Sequence, residues 1–381
     1  EVAKRLYLQL TERNRNPVGE RAAERRARVA RADAALPATA GELSDLVLGP
    51  VAGELRPGRR LVVVGDGALQ YIPFGVLPVP AGAPRLARAA AAGRRPRLIE
   101  HHVVVVLPSA SVLSALRREH AERRPPAGVL AVLADPVFSA DDRRVSRAPS
   151  GGGTAQLPAE AAASLEVPAD PGFTRGAAAA GVAPSAARPY LPLLHSGREA
   201  TAISELVPDK TRVYVATDFA ASRANALSGR LAGYRLVHFA THGVLDSQRP
   251  DQTSLVLSLV DQNGAPLDGH LKLRDIYDLE LNADLVVLSA CQTALGKEVR
   301  GEGLIGLTRG FMHAGATRVV ASLWSVEDQA TADLMQRFYE GMLARGLTPA
   351  EALREAQLAL LRSKWDEPYY WAAFSLQGEW Q

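Results

Sequence analysis

The sequence predicts an α/β fold in which helices flank a mostly parallel sheet. Short apolar strands alternate with helical stretches along most of the chain, which is the pattern of a parallel sheet with helical crossovers. Leu236–Thr241, Asp284–Ala290 and Arg318–Leu323 are nearly continuous apolar runs, as expected of strands covered on both faces. A length of 381 residues suits either two packed units or one large α/β unit.

Residues 1–45 are predicted to form a helical N-terminal segment. Residues 3–35 are rich in Arg, Glu and Ala at helical spacing. We expect this helix to end near Pro37, because proline lacks the N–H that a helix interior needs. A further helix is predicted over Gly41–Leu55. The chain begins at Glu1 rather than Met, so we expect a piece or a processed form of a longer protein.

Residues 46–138 are predicted to form an N-terminal half that completes or buttresses the sheet. Its expected elements are the strands Leu61–Val64, Val103–Leu107 and Val129–Leu133 and the helix Ser109–Arg118. Residues 80–98 are rich in Ala, Arg, Pro and Gly and are expected to be a loop.

Residues 139–190 are predicted to be a flexible insertion. They are rich in Ala, Gly, Pro, Ser and Arg, have no sustained hydrophobic period and contain three consecutive glycines, Gly151–Gly153. Two interpretations stay open at this point: the insertion is a passive linker, or it gates the rest of the protein.

Residues 191–381 alternate strands and helices most regularly and are predicted to form the second half. The predicted strands are Arg212–Val215, Leu236–Thr241, Ser254–Val260, Asp284–Ala290, Arg318–Leu323 and Trp371–Leu376. The predicted helices are Gly197–Leu206, Arg223–Leu231, Leu273–Leu279, Gly303–His313, Glu327–Leu343 and Pro349–Leu361.

Composition excludes several classes of protein. Hydrophobic residues make up 47% and charged residues 22% of the chain, which is typical of a folded globular protein. The net charge is +3, and the arginines of Arg21–Arg31 alternate with Glu and Ala at helical spacing. We therefore expect a solvated helix face there and no nucleic-acid contact. No apolar run approaches the roughly 20 residues of a membrane span, so we expect no membrane contact and a cytoplasmic location.

The chain contains one cysteine, Cys291, which excludes an internal disulfide framework and a zinc site built on paired cysteines. A lone cysteine is most often a buried, inert side chain. Cys291, however, directly follows the predicted strand Asp284–Ala290, and His242 directly follows Leu236–Thr241. Functional groups of open α/β sheets lie beyond the carboxyl ends of strands, so thiol and imidazole would meet if these strands are neighbours.

This pair has the chemistry of a cysteine nucleophile. The thiolate is the attacking form, and an adjacent imidazole favours it and can later protonate a leaving amine. Gly243 lets its N–H approach a substrate carbonyl, so Gly243 and the N–H of Cys291 are candidate oxyanion-hole donors. A His-Gly and a Cys 49 residues apart have caspase-type spacing, although only the Ala-Cys-Gln centre of the caspase signature is kept.

These motifs resemble the CHAT domain, a caspase-like branch of the clan of cysteine peptidases that also contains separases. The resemblance is carried by HFATHGVLD at 238–246, LVVLSACQTALG at 285–296, EGLIGLTRGFMHAGATRVVASLW at 302–324 and PYYWAAFSLQG at 368–378. The upstream stretches DGALQYIPFGVL at 66–77, LPSAS at 107–111 and ASRANA at 221–226 are also similar. The likeness covers residues 45–381, apart from the loops at 80–98 and 139–190.

The resemblance implies a caspase-like fold and a cysteine endopeptidase, usually without an essential third acid. On this chain it implies His242 as general base and acid and Cys291 as nucleophile, with a protein substrate and neither cofactor nor metal. CHAT domains commonly follow tetratricopeptide-type repeats, so a regulatory partner or a repeat domain before this chain is expected.

The frequent use of Arg and Ala suits a GC-rich genome, and we expect a bacterial protein. The functional alternative for residues 139–190 is then an autocleavable or gating segment, whose many arginines would suit an enzyme with a basic P1 preference.

In separase-like relatives, an acidic residue after the strand that ends in Trp helps to hold a basic P1 side chain. Here Trp324 is followed by Glu327 and Asp328, so the resemblance makes Asp328, with Glu327 beside it, a candidate binding residue for Arg or Lys at P1. Both carboxylates would also start a helix, where the helix dipole favours them. Trp324 would either line the substrate groove or pack in the core.

Two other functions stay open from the sequence. A catalytically silent caspase-like scaffold would bind partners through the same groove, although both dyad residues and the glycine are present. Acyl transfer to an amine would use the same dyad. A thiol-directed probe, with Cys291→Ala as its control, distinguishes a scaffold from an enzyme.

Overall fold

One large sheet and two small ones organise the chain in the computed structural model, which describes residues 1–15, 17–83, 95–146, 190–244, 252–289, 297–299 and 303–380. The strands in these residues are β1 (Leu61–Val63), β2 (Val104–Val106), β3 (Gly128–Pro136), β4 (Val213–Asp218), β5 (Tyr234–Ala240), β6 (His242–Val244), β7 (Ser254–Val256), β8 (His270–Lys272), β9 (Leu285–Ser289), β10 (Lys297–Val299), β11 (Gly303–Ile305), β12 (Arg318–Ser322) and β13 (Phe374–Gly378).

The large sheet has eight strands in the order β1-β2-β13-β12-β9-β5-β3-β4. Its neighbouring strands are parallel throughout the described ranges except for β12 and β13, which are antiparallel. The predicted α/β class with a mostly parallel sheet is therefore confirmed. Strands β1, β2 and β3 come from residues 46–138, so this part of the chain completes the same sheet, as predicted.

Helices pack against this sheet. They are α1 (Val2–Leu10), α2 (Ala22–Leu48), α3 (Leu98–His101), α4 (Ala110–Glu122), α5 (Ser196–Glu205), α6 (Arg223–Ala226), α7 (Leu273–Tyr277), α8 (Leu307–His313), α9 (Asp328–Leu343), α10 (Pro349–Leu361) and α11 (Pro368–Trp371). Helix α5 contacts β3, β4 and β5, α8 contacts β12, and α10 contacts β2 and β13. None of the helices within the described residues is both long enough and apolar enough to cross a membrane.

Strands β5 and β9 lie at the centre of the large sheet. All five residues of β9 are buried, and β5 is buried from Leu236 onwards. Their register pairs Leu236 with Leu285 at one end and Ala240 with Ser289 at the other. The nearly continuous apolar runs in the sequence follow from this position, since both faces of a central strand are covered.

A small antiparallel sheet, β6-β7-β8, lies beyond the carboxyl end of β5. Its register places His242 opposite Val256, and Val256 opposite His270. The sequence predicted only one strand here, over Ser254–Val260. Each strand of this sheet has three residues, which is too short for a period of two to be recognised.

Helix α2 continues through Pro37, so the predicted helix end at this residue was wrong. Leu36, Ala40 and Leu43 are buried on the packed face of the helix. Their burial outweighs the roughly 3 kcal/mol that a proline costs inside a helix. The predicted division at residue 45 also falls inside α2.

The predicted helix Gly303–His313 is shorter than expected. Gly303–Ile305 forms β11, which pairs with β10, and the helix α8 begins only at Leu307. Gly306 precedes it in an extended conformation. Glycine is a poor helix former, so the glycines that open this stretch favour the hairpin over a longer helix.

Phe239 lies in β5 and is fully buried against Phe311 of α8, with ring centres 5.5 Å apart. Phe239→Ala is expected to lower the free energy of unfolding by about 3–5 kcal/mol, because it leaves a cavity in the centre of the sheet. Leu46→Ala, on the exposed face of α2, is the control and should change it by less than about 0.5 kcal/mol. Urea unfolding followed by circular dichroism measures both, and equal effects would contradict the central position of β5.

Candidate active site

The carboxyl ends of β5 and β9 lie side by side. The strands are parallel neighbours, and Ala240 pairs with Ser289. His242 follows Ala240 by two positions, and in the sequence Cys291 follows Ser289 by two positions. The two strands are thus neighbours in the sheet, which is the arrangement that would bring the imidazole and the thiol together. Cys291 itself lies outside the described residues.

Aromatic rings enclose His242. The imidazole centre lies 5.0 Å from that of Phe138, which follows β3, and 5.7 Å from that of Tyr190. Val256 of the neighbouring strand β7 packs with both of these aromatic residues. His242 is 8% exposed, so its ring has little contact with bulk water.

A backbone carbonyl fixes the tautomer of His242. The Nε2 atom lies 2.7 Å from the carbonyl oxygen of Leu191. Since a carbonyl can only accept, Nε2 carries the hydrogen and donates it. In a neutral imidazole the lone pair is then on Nδ1. Nδ1 is therefore the nitrogen of His242 that can act as a base.

Burial lowers the pKa of His242 below its usual value, and the hydrogen bond to Leu191 offsets only part of this effect. Removal from water disfavours the charged imidazolium relative to the neutral ring. His270, which lies two strands further along the small sheet, also has its pKa lowered by burial. The imidazole of His242 is consequently neutral at neutral pH and able to accept a proton.

Gly243 follows His242 in β6 and is buried opposite Leu255 of β7. The candidate oxyanion donor thus belongs to a paired strand and not to an open loop. A paired strand holds the direction of its N–H groups, which is what stabilisation of a developing charge requires.

One short stretch of chain, residues 190–195, joins His242 to Asp328; we call it the bridging stretch. Near its start the carbonyl of Leu191 accepts from His242. At its end the main-chain N–H of His195 donates to Oδ2 of Asp328 at 2.8 Å. Leu191 and His195 are four residues apart and can be separated by at most about 14 Å. The structure therefore brings His242 and Asp328 into one region of the surface.

Glu327 and Asp328 differ in what they contact at the start of α9. The carboxylate of Glu327 accepts from the main-chain N–H of Ala330 at 2.7 Å and so caps the helix. Asp328 is half-buried. Burial raises the pKa of Asp328 above its usual value, the hydrogen bond from His195 lowers it, and the charge of Glu199 adds to the rise. Asp328 is thus the acid that faces the bridging stretch.

Trp324 lies in the core. Its side chain is fully buried, its Nε1–H donates to the carbonyl oxygen of Tyr369 at 2.9 Å, and its ring packs edge-on against Tyr7. It therefore presents no surface to a substrate in this conformation.

A buried polar cluster lies beneath the site and connects α5, β5 and α9. His238 of β5 has Nδ1 3.1 Å from the hydroxyl of Tyr339 and Nε2 2.9 Å from Oε1 of Glu199. Burial raises the pKa of the Tyr339 hydroxyl. Because a carboxylate can only accept, Nε2 of His238 faces Glu199 with its hydrogen. The cluster is fully enclosed, which agrees with a packing role for His238.

The sequence matches the CHAT domain family over residues 37–379. The chain belongs to the CHAT domain family. Tetratricopeptide repeat protein 28 of Mus musculus and that of Homo sapiens are each 40% identical to it over 109 residues, which is 28% of this chain and 4% of the relative. The chain thus spans only a small part of these relatives.

Two solved structures are similar to this CHAT domain. The separase–securin complex of Saccharomyces cerevisiae has a TM-score of 0.47 at 11% identity, over 84% of this chain and 16% of that chain. The Arg-specific cysteine proteinase gingipain R has a TM-score of 0.47 at 11% identity, over 90% of this chain and 67% of that chain. The family assignment rests on the domain match alone.

The described part of this CHAT domain holds no group of three or more His, Cys, Asp or Glu side chains that could ligate a metal. The densest set of carboxylates near the strand ends, Asp135, Asp142 and Asp218, surrounds Arg144. The guanidinium lies 3.1 Å from Asp135, 2.9 Å from Asp142 and 2.7 Å from Asp218. One guanidinium is therefore shared among the three carboxylates and offsets part of their negative charge.

Several residues at the site of this CHAT domain were missed from the sequence. Leu191 and His195 act through main-chain atoms, which leave no side-chain signature. Phe138 and Tyr190 enclose the imidazole, but Phe138 directly precedes residues 139–190 and Tyr190 is the last of them, and no hydrophobic period was found in this stretch. Single aromatic residues at the two borders of a low-complexity stretch were the only available signal.

Phe138→Ala is expected to raise the pKa of His242 towards the usual value of about 6.5, because water then reaches the imidazole. Histidine C–H resonances followed by NMR against pH measure this pKa, with His242→Gln to assign the signal. Phe74→Leu, a buried substitution in the N-terminal half, is the control and should leave it unchanged. A His242 pKa at or above 6.5 in the unmodified protein would contradict the role of burial.

Proposed function

We propose that this chain is a cysteine endopeptidase that cleaves protein substrates, with Cys291 as nucleophile and His242 as general base and acid. The observation that carries the proposal is the register of β5 with β9, which pairs Ala240 with Ser289. Each candidate residue follows one of these by two positions, and neighbouring strands lie about 4.8 Å apart. A separation of this order suits a thiol and an imidazole that exchange a proton.

The carbonyl of Leu191 takes the role that an acid takes in a catalytic triad. A third group normally orients the base, and here Nε2 of His242 donates to this carbonyl at 2.7 Å. With Nε2 in this bond, Nδ1 is the nitrogen that would exchange a proton with the thiol. A neutral carbonyl stabilises an imidazolium less than a carboxylate does. This agrees with a lowered pKa for His242 and with a dyad that needs no third acid.

In the proposed reaction, Nδ1 of His242 accepts the thiol proton and the thiolate sulfur of Cys291 forms a bond to the substrate carbonyl carbon. The tetrahedral intermediate then loses its C–N bond, and the imidazolium gives its proton to the departing amine. Water next attacks the thioester carbon while Nδ1 accepts a water proton. The C–S bond then breaks and the peptide acid leaves. The imidazolium returns its proton to the thiolate of Cys291.

The developing oxyanion would accept from the main-chain N–H groups of Gly243 and Cys291. Gly243 supports this role because it lies in a paired strand next to the base. Main-chain donors at fixed positions need no rearrangement as the charge develops, and this is the source of their contribution to the rate.

Asp328 is the proposed binding residue for a basic P1 side chain. The bridging stretch supports this, since His242 bonds to one end of it and Asp328 to the other, and its two contacting residues are at most about 14 Å apart. Glu327 would contribute negative charge while it caps α9. Trp324 would support the residues between β12 and α9 from the core, without touching substrate.

Regulation by a partner or by a preceding repeat region belongs to the same proposal. The curated relatives are named for tetratricopeptide repeats, and the chain matches only 4% of their length. Repeats stack into extended surfaces that bind other proteins, which suits a region that receives an activating signal.

Cys291→Ala and His242→Ala are each expected to lower cleavage of a peptide library by about 1,000-fold or more, because each removes a partner in the proton exchange. His313→Gln, an exposed histidine of α8, is the matched control and should retain activity. A thiol-directed probe should label the unmodified protein and fail on Cys291→Ala. Equal labelling of both, with no cleavage in the presence of the natural partner, would support the silent scaffold instead.

Asp328→Asn is expected to lower kcat/KM about 10- to 100-fold for a peptide with Arg at P1, because a charge-assisted hydrogen bond is lost. A peptide that differs only in having Leu at P1 should change by less than about threefold. Glu340→Gln, in the last turn of α9, is the matched control, since it removes a charge far from the P1 residue and keeps an acceptor for Gln336. If the unmodified enzyme prefers Leu or Met, Asp328 is only a residue at the start of a helix.

A further inference from the structure

Residues before position 37 lie outside the family match, yet they contact the stretch that leads to Asp328. That stretch, residues 323–328, leaves the carboxyl end of β12 and enters α9; we call it the approach segment. Its contacts with the first fourteen residues of the chain are specific hydrogen bonds and ring contacts. They connect the start of the chain with the substrate-binding side of the proposed site.

The first connection is made by Tyr7 of α1. Its hydroxyl donates to the carbonyl oxygen of Leu323 at 3.2 Å. Its ring packs edge-on against Tyr71 at 5.7 Å and Trp324 at 6.4 Å. Burial raises the pKa of Tyr7 to about 12, so the hydroxyl stays a donor across the physiological range. Tyr7 therefore holds the first residue of the approach segment by its main chain and the second by its ring.

The second connection passes through Tyr369 of α11. Its hydroxyl lies 2.8 Å from the carbonyl oxygen of Ser325 and 2.7 Å from the side-chain oxygen of Asn14. A hydroxyl has one hydrogen and cannot donate to both oxygens at once. The amide nitrogen of Asn14 is buried without a partner among the described residues. Exchanging the amide N and O of Asn14 removes the conflict: Asn14 then donates to Tyr369, which donates to Ser325.

The start of the chain is itself firmly attached. Leu6 and Leu10 of α1 are buried in the core. Arg13 forms a two-point ion pair with Asp33 of α2, at 2.7 and 2.9 Å, and its guanidinium also lies over the ring of Tyr369 at 5.4 Å. Displacement of α1 would therefore disturb Tyr369 as well as Tyr7.

We propose that Tyr7, Asn14 and Tyr369 are positioning residues that fix the approach segment, and with it Asp328, so that the N-terminal helix controls substrate affinity. The inference rests on the proposed function, because it assigns Asp328 to substrate binding. It also names how a partner that engages α1 would act: release of the carbonyls of Leu323 and Ser325 would loosen the approach segment without touching the dyad.

The test compares Tyr7→Phe and Tyr369→Phe, which remove one hydroxyl each and keep the rings, with Tyr214→Phe. Tyr214 is a partly buried tyrosine on the edge strand β4, 6.1 Å from Tyr234, and serves as the matched control. Amide hydrogen exchange of peptides from residues 323–328 should quicken about three- to tenfold in the first two variants, as expected when one hydrogen bond is lost. The control should match the unmodified protein.

For an Arg-P1 peptide, KM should rise about three- to tenfold while kcat changes less than twofold, because the dyad is untouched. Hydrogen exchange needs no activity, so it tests the attachment even if Cys291→Ala shows that the protein is not a peptidase. The positioning role would be overturned if amide exchange at residues 323–328 stayed unchanged in the variants, or if it rose equally throughout the chain. If amide exchange at residues 323–328 is faster but KM is unchanged, in an enzyme whose activity depends on Cys291, the proposal that the N-terminal helix controls substrate affinity is overturned.

Discussion

The register between β5 and β9 is the constraint on which the candidate site depends. Because the strands are parallel and Ala240 pairs with Ser289, the carboxyl ends of both strands lie at the same edge of the sheet. A slip of one position would turn every side chain to the opposite face. Such a slip would also turn the buried His238 away from Glu199 and Tyr339, so this cluster favours the observed register. A polar network in the core thus fixes where His242 emerges.

Two separate features of the fold define the environment of His242. Phe138 and Tyr190 exclude water from the ring, which disfavours the imidazolium, and the carbonyl of Leu191 selects the tautomer. Orientation and basicity are therefore set by different parts of the structure. A carboxylate at the position of Leu191 would couple the two, since its charge would raise the pKa of the ring while orienting it.

The sequence was sufficient to predict the features of the fold that have a long or strongly apolar pattern. The central strands, the mostly parallel sheet and the family follow from runs such as Leu285–Ser289 and from the motifs around them. Helix α2 was misjudged because local propensity at Pro37 is outweighed by packing, which is not visible locally. The three-residue strands of β6-β7-β8 were too short for a period, and Leu191 contributes only a carbonyl. Those features depend on contacts distant in sequence, and the dyad geometry at Cys291 stays a prediction.

Asp328 is held from two directions, and this has a mechanical consequence. The bridging stretch reaches it through the N–H of His195, while the approach segment brings it from β12 into α9. Leu191 and His195 belong to the same short stretch, so a movement of this stretch would disturb both the bond to Asp328 and the bond that fixes the tautomer of His242. The positions of the Asp328 carboxylate and the His242 imidazole are thereby linked through the main chain. A side-chain acid would not provide this linkage, because it could move without displacing the chain that contacts Asp328.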